Sequence, residues 1–531
     1  MSGLMTLSVP VPAKPRHVCV LAMLILAGCG GSGTDSGTDS GGGSPPGTGS
    51  TTPPEGTLLQ SPGQLIATVT APSLLVELNL ATNQPLLSLS GSPVCDVLIY
   101  KIQYETVGGA NEPTTASAAL MIPSGLGSSC TGNRPVLLYA HGTTTDRSFD
   151  MTDLNNAEAL GMAAIFASQG YIVVAPNYAG YDTSTLPYHP YLIATQQSKD
   201  MIDALTAARK ALPIASATLT RDNGRLFITG YSQGGYVAMA TQRAMEAAGM
   251  TVTAASPMSG PYALAAFADA VFYGAVNGGA PISTTLLVTA YQAAYGNIYT
   301  SPTEIFEPQY ASGIESLLPT TLTRGELYAQ GKLPQYALFS ATPPAPQFAS
   351  ITPPTTPANL APLFALGFGS GNLILNSYRL SYLEDAQQNP DGGFPTVTTG
   401  VPAAAPKLAW RQALQRNDLR NWVPMAPVQL CGGADDPVVF WFNTQLMQNY
   451  WTAHPPASAP IGVLDLESSA TTMDPYGNLK QEFQAAKALI AADAIAQGAT
   501  DGGFAAVTAA YHATLVAPFC LAAARSFFAN L

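Results

Sequence analysis

At 531 residues the chain is long enough to bury a large core, and length alone permits more than one domain. Only 10% of residues are charged, 47% are hydrophobic, and 21 basic side chains face 33 acidic ones with no Lys/Arg-rich run. That balance excludes a surface built to track phosphates, so nucleic acid is not an expected partner.

Lys14, Arg16 and His17 precede the short apolar run "VCVLAMLILAG", which is too short to span a bilayer. Leu26-Ala27-Gly28-Cys29 follows and resembles a bacterial lipobox. The resemblance implies cleavage before Cys29, a diacylglycerol on its thiol and a membrane lipid anchor; Gly30 in place of an acid favours the outer membrane. An ordinary secretory signal with a chance cysteine is the plainer alternative, and both readings export the protein. Residues 30–56, "GSGTDSGTDSGGGSPPGTGSTTPPEGT", offer almost no apolar side chain to offset the entropy of ordering and read as a tether. The paired "GTDS" is the one repeat in the sequence.

From about residue 97, "VLIYKIQYETV" and "TASAALMIP" read as a hairpin around "GGANEP". Buried strands then alternate with helices: "RPVLLYAHG", the helix "NNAEALGMAAIFASQG", "YIVVAPNY", the helix "IATQQSKDMIDALTAARKAL", "RLFITGYS", the helix "GGYVAMATQRAMEAAGM", and "TVTAASPMS". Near-continuous apolar strands separated by helices predict a mostly parallel α/β sheet covered on both faces. Residues 262–424 carry amphipathic and Pro-rich pieces without a clear strand, and the sheet resumes at "APVQLCGG" and "IGVLDLES". An insertion between two strands of one sheet reads as a cap over the carboxyl edge, where open α/β sheets bind ligands; a separate helical domain is the alternative. The expected organisation is a signal over 1–28, a lipidated cysteine and linker over 29–56, a core over 57–261 and 425–531, and a cap over 262–424.

"GYSQGG" places Ser232 between a buried strand and a helix, the context a nucleophile elbow requires. Gly230, Gly234 and Gly235 remove Cβ groups that would obstruct so sharp a turn. A serine hydroxyl needs a histidine to take its proton and a carboxylate to orient the histidine. Of the five histidines, His17 lies in the signal, while His141 and His189 precede Ser232 and so break the Ser–acid–His chain order of the α/β-hydrolase fold. His512 is preferred over His454, which precedes the strand "IGVLDLES" and falls at the wrong end of the sheet. Asp436 of "LCGGADDPVVF", followed by Pro-Val-Val, resembles the usual Asp-x-Val-Val turn of that fold and is preferred as the acid over its neighbour Asp435, whose alternative role is in the turn or a helix cap. Backbone N–H groups of Gln233 and of Thr143, in "HGTTT", are the expected oxyanion donors, and His141 is read as bracing that loop.

Together "YAHGTTT", "VVAPNYAGYD", "GYSQGG", "CGGADDPVV" and "YHATLVAPFC" resemble secreted bacterial lipases and esterases of the α/β-hydrolase superfamily, over roughly residues 97–260 and 425–531. The resemblance implies Ser232 as nucleophile, Asp436 as orienter, His512 as base and Thr143 and Gln233 as oxyanion donors. It also gives meaning to one cysteine pairing. Cys431 with Cys520 would tie the acid strand to the helix behind the histidine, and Cys95 with Cys130 would staple the opening hairpin; four free thiols are the alternative. One departure from many relatives is the long stretch "QEFQAAKALIAADAIAQGA" between the last strand and His512. The expected chemistry is hydrolysis of a hydrophobic ester through an acyl-enzyme, without metal, cofactor or obligate protein partner. A serine peptidase and a non-catalytic lipoprotein binding hydrophobic ligands are the rival readings.

Overall fold

The parallel sheet that the sequence predicts is present in the computed structural model, which describes residues 53–80, 84–215 and 220–531. The expected signal, Cys29 and nearly all of the linker lie outside the described residues. Among the described residues nine strands form one sheet: β1 (Gln64–Val69), β2 (Asp96–Val107), β3 (Pro113–Ser124), β4 (Asn133–Ala140), β5 (Ile172–Pro176), β6 (Arg221–Tyr231), β7 (Ala254–Met258), β8 (Val428–Gly432) and β9 (Ile461–Asp465), in the order β1-β2-β3-β5-β4-β6-β7-β8-β9. The predicted hairpin is β2 against β3, while β5 through β9 run parallel. Sequence reading gives no strand before residue 97. β1 pairs with β2 at the sheet edge, where its side chains stay largely in solvent and leave no burial pattern to read.

Alternating side chains feed two cores. Helices α1 (Ala71–Leu80) and α2 (Gln84–Ser90) lie between β1 and β2; Leu138, Val174 and Ile228 point to the face covered by α4 (Ala194–Ala215) and α5 (Gln233–Ala247). Their neighbours Leu137, Val173 and Phe227 point to the other face, covered by α3 (Ala157–Ile165) and the C-terminal helix Ala517–Ala529. The run Phe504–Ala529 is apolar and long enough to cross a membrane by length and composition, yet Phe519, Cys520, Ala523, Ala524 and Phe528 within it are spent on this core. This is the α/β-hydrolase fold, a mostly parallel sheet between two helical layers.

Between β7 and β8, residues 262–424 add no strand to the sheet. They fold into short helices, including Leu264–Phe272, Ala280–Tyr295, Asn376–Gln388 and Ala409–Asn417. Three buried arginines fasten these pieces. Arg411 pairs with Asp269 (2.8 Å) and Asp385 (3.2 Å), and Arg420 with Asp391 (2.7 Å) and Asp418 (2.8 Å). Arg379 donates to the carbonyls of Phe272 and Ile351 and to the Thr352 hydroxyl. Charges buried this deeply are tolerated only when paired or fully hydrogen-bonded, so each arginine fixes the loops that serve it.

Two disulfides are present in the expected pairing, Cys95–Cys130 and Cys431–Cys520, with Cα separations of 5.3 and 5.6 Å.

Candidate active site

β6 ends at Tyr231 and α5 begins at Gln233, leaving Ser232 alone in the turn between them with φ 59° and ψ −121°. Such a backbone costs an L-residue energy and persists only where its surroundings dictate it. Here the glycines make it possible. A Cβ on Gly234 would lie 1.9 Å from the Ala140 carbonyl oxygen, one on Gly230 would meet the Gly234 oxygen at 2.3 Å, and one on Gly235 the Met258 oxygen at 2.3 Å. The Ser232 N–H donates to the Met258 carbonyl at 3.0 Å, tying the turn to the end of β7.

Asp436 follows β8 and is 3% exposed. Its Oδ1 accepts the N–H groups of Val438 (2.9 Å) and Val439 (3.1 Å). Pro437 has no N–H to donate, so the two valine amides both fall on Oδ1 and Oδ2 is left for another donor. That oxygen, Oδ2, meets His512 Nδ1 at 2.7 Å. A carboxylate only accepts, so Nδ1 carries the hydrogen and Nε2 presents its lone pair. Nε2 is buried without a hydrogen-bond partner.

The structure therefore joins Asp436 to His512, whereas the hydrogen bond from Ser232 Oγ to His512 Nε2 is not made. Contact between the elbow and the histidine runs through the neighbouring residue. Tyr231 Oη lies 3.1 Å from His512 Nδ1, it donates to the His512 carbonyl, and the two rings sit 4.8 Å apart. Catalytic hydrogen bonds commonly tighten only with substrate in place.

His512 does not stand on a loop. It occupies a π-helical turn, Tyr511–Val516, inside the helical run that closes the chain. The intervening stretch is the helix Gly477–Ala496, which buries Phe483 in the core shared with Phe519, and the chain continues through Phe504–Ala510. Tyr511 is anchored by donating to Glu467 (2.6 Å), itself paired with Lys487.

The unselected candidates fall elsewhere. Asp435 leaves its side chain 61% exposed and 3.5 Å from Lys487. His454 is exposed beside Tyr450, 4.5 Å away ring to ring. His141 is fully buried, with Nδ1 2.7 Å from the Gly142 carbonyl and Nε2 3.2 Å from that of Asn177; burial pushes it down to about 4, so the neutral ring donates its single N–H to one of these two carbonyls.

Gln233 is the first residue of α5, so its N–H has no partner within the helix. Thr143 stands in the loop beyond β4, with its hydroxyl 2.9 Å from Tyr191 Oη. One residue that sequence reading misses is Glu158, on α3. It accepts the Gly142 N–H (3.0 Å) and the Tyr139 hydroxyl (2.7 Å), and burial raises its carboxyl above the ordinary range against both bonds. A glutamate in the first turn of a helix carries no signal of such a contact.

The inserted segment borders the site on two sides. Thr320 exchanges backbone hydrogen bonds with the Thr145–Arg147 stretch of the Thr143 loop, and Gly278 N–H and Asn277 Nδ2 donate to Pro437 and Val438 beside Asp436.

The model of the Prolyl oligopeptidase family matches residues 160–273, which include Ser232 but neither Asp436 nor His512. The rice cell wall degrading esterase LipA from Xanthomonas oryzae is 25% identical, with 82% of this chain and 96% of that chain covered and a TM-score of 0.61. A variant of the same esterase gives 26% identity, 80% and 94% coverage and a TM-score of 0.60. A Legionella pneumophila protein at 18% identity, 89% and 97% coverage and a TM-score of 0.59 shares the fold. No curated protein sequence matches. The chain is accordingly similar to serine hydrolases of the α/β fold.

Proposed function

We propose that the protein is a serine carboxylic-ester hydrolase of the lipase and esterase type. The observation that carries this reading is the 2.7 Å contact of Asp436 with His512, which leaves Nε2 as a buried acceptor beside the strained Ser232 turn. His512 Nε2 takes the Ser232 Oγ proton as Oγ bonds to the ester carbonyl carbon, and the oxyanion faces the N–H groups of Thr143 and Gln233. Collapse breaks the C–O bond, and His512 returns the proton to the leaving alcohol. Water, deprotonated by the same histidine, then releases the acid and restores Ser232.

Residues 262–424 serve as the cap. Phe267 packs against Phe440 and Phe442, with centroids 5.5 and 6.0 Å apart, and Phe364 against Phe440 at 5.8 Å, so aromatic surface lies just past the acid turn. A hydrophobic acyl group suits such a wall. Similarity to an esterase over most of both chains supports ester over amide, while the Prolyl oligopeptidase match supports the second reading, a serine peptidase. Two disulfides fit an oxidising compartment, and the lipobox-like leader supports export with a lipid anchor at Cys29.

Hydrolysis of a p-nitrophenyl ester chain-length series, beside matched peptide anilides, tests the proposal. Ester turnover that exceeds anilide turnover and disappears in Ser232→Ala is expected; turnover of anilides alone would establish the peptidase.

A further inference from the structure

We infer that the turn His189-Pro190-Tyr191 is a positioning device that holds both halves of the oxyanion hole, and so sets the spacing between the Thr143 and Gln233 amides. The inference rests on the acyl-transfer reading of Ser232. Neither His189 nor Tyr191 has a place in the proton relay.

His189 is 2% exposed. Its Nδ1 lies 2.9 Å from the Ala179 carbonyl, which can only accept, so Nδ1 carries the hydrogen and Nε2 is an acceptor. Nε2 receives the side-chain amide of Gln233 at 2.7 Å and that of Gln197 at 3.4 Å. The Gln233 amide oxygen is buried without a partner, which leaves His189 to orient that side chain. Burial pushes His189 down to about 3, so the ring is neutral and Nε2 stays an acceptor at neutral pH. Tyr178 and Tyr181 flank the ring at 5.6 and 4.7 Å.

Two residues on, Tyr191 Oη meets Thr143 Oγ1 at 2.9 Å. The Tyr191 N–H bonds back to the His189 carbonyl at 2.7 Å, so the two side chains leave one tight turn as a rigid pair. The turn is itself anchored. Leu192, held at φ 53°, offers its carbonyl to the hydroxyls of Tyr236 on α5 and Tyr291 in the inserted segment, each at 3.2 Å. A donor pair works only if both groups stand within hydrogen-bond reach of the oxyanion, so a brace common to both halves of the hole acts on the transition state rather than on substrate binding.

The test compares Tyr191→Phe and His189→Phe in the full chain by kcat, KM and the Ki of an aryl trifluoromethyl ketone, which forms a tetrahedral oxyanion on serine. Both variants are expected to lose roughly tenfold in kcat, with KM nearly unchanged and Ki raised by a similar factor. Tyr191→Phe is expected to have no further effect in a Thr143→Val background. Wild-type kcat and Ki in Tyr191→Phe, a change confined to KM, or additive losses with Thr143→Val would each overturn the inference. Should His189→Phe not fold, Tyr191→Phe decides alone. A parent protein that turns over neither esters nor peptide anilides would instead overturn the acyl-transfer reading, and this inference with it.

Discussion

Asp435 and Asp436 are adjacent and chemically identical, yet their surroundings differ. Asp436 is sealed under two valine amides with one oxygen on His512, and Asp435 faces solvent and Lys487. Asp436→Asn is expected to cut kcat by three to four orders of magnitude or so, whereas Asp435→Ala should stay within about twofold; steady-state kinetics on one ester distinguishes them. Gly234→Ala sets a different kind of test, because its Cβ would fall 1.9 Å from a backbone oxygen. The variant should be inactive and less stable by thermal unfolding.

At the scale of elements, the Cys431–Cys520 bond joins β8, which leads to Asp436, to the helix that follows His512. It closes a span of 89 residues, for which chain entropy gives about 4 to 5 kcal/mol at most. Replacing both cysteines by alanine should lower the unfolding midpoint and also kcat, since the acid and base lose a shared tether; a stability loss with kcat unchanged would show that the π-helical turn holds His512 unaided. Most of the sheet was legible because buried parallel strands such as "RPVLLYA" and "YIVVAP" are apolar throughout, and "GYSQGG" named its own turn. Other elements were not. The exposed β1 carries no apolar pattern, and a π-helical turn differs from an ordinary helix by one extra residue that composition does not record. Equally hidden were Glu158, His189 and Tyr191, whose contacts join residues distant in sequence.

For the whole molecule, buried titratable groups pull stability in opposite directions with pH. Burial pushes Asp200 up to about 6 and Asp203 up to about 7, so the folded chain holds their protons more tightly than the unfolded one. Their contribution is complete below the ordinary aspartate range and is lost as pH rises through about 7. His141 and His189 are pushed down to about 4 and about 3, and their contribution is present above the ordinary histidine value and lost on acidification. Asp203→Asn, which keeps an acceptor for the Thr106 hydroxyl now at 2.9 Å, should gain on the parent as pH rises from about 4 to 7, by on the order of 1–3 kcal/mol. Thermal unfolding of both proteins across that range is the measurement, and a difference independent of pH would refute the assignment.

The role of Ser232 as nucleophile is tested by mass spectrometry of the protein after titration with a p-nitrophenyl phosphonate ester, which phosphonylates an activated serine. One adduct per chain is expected, mapped to Ser232, formed in step with loss of ester hydrolysis and strongly slowed in His512→Ala. An adduct on another residue, or full ester hydrolysis by a chain fully labelled at Ser232, would contradict it.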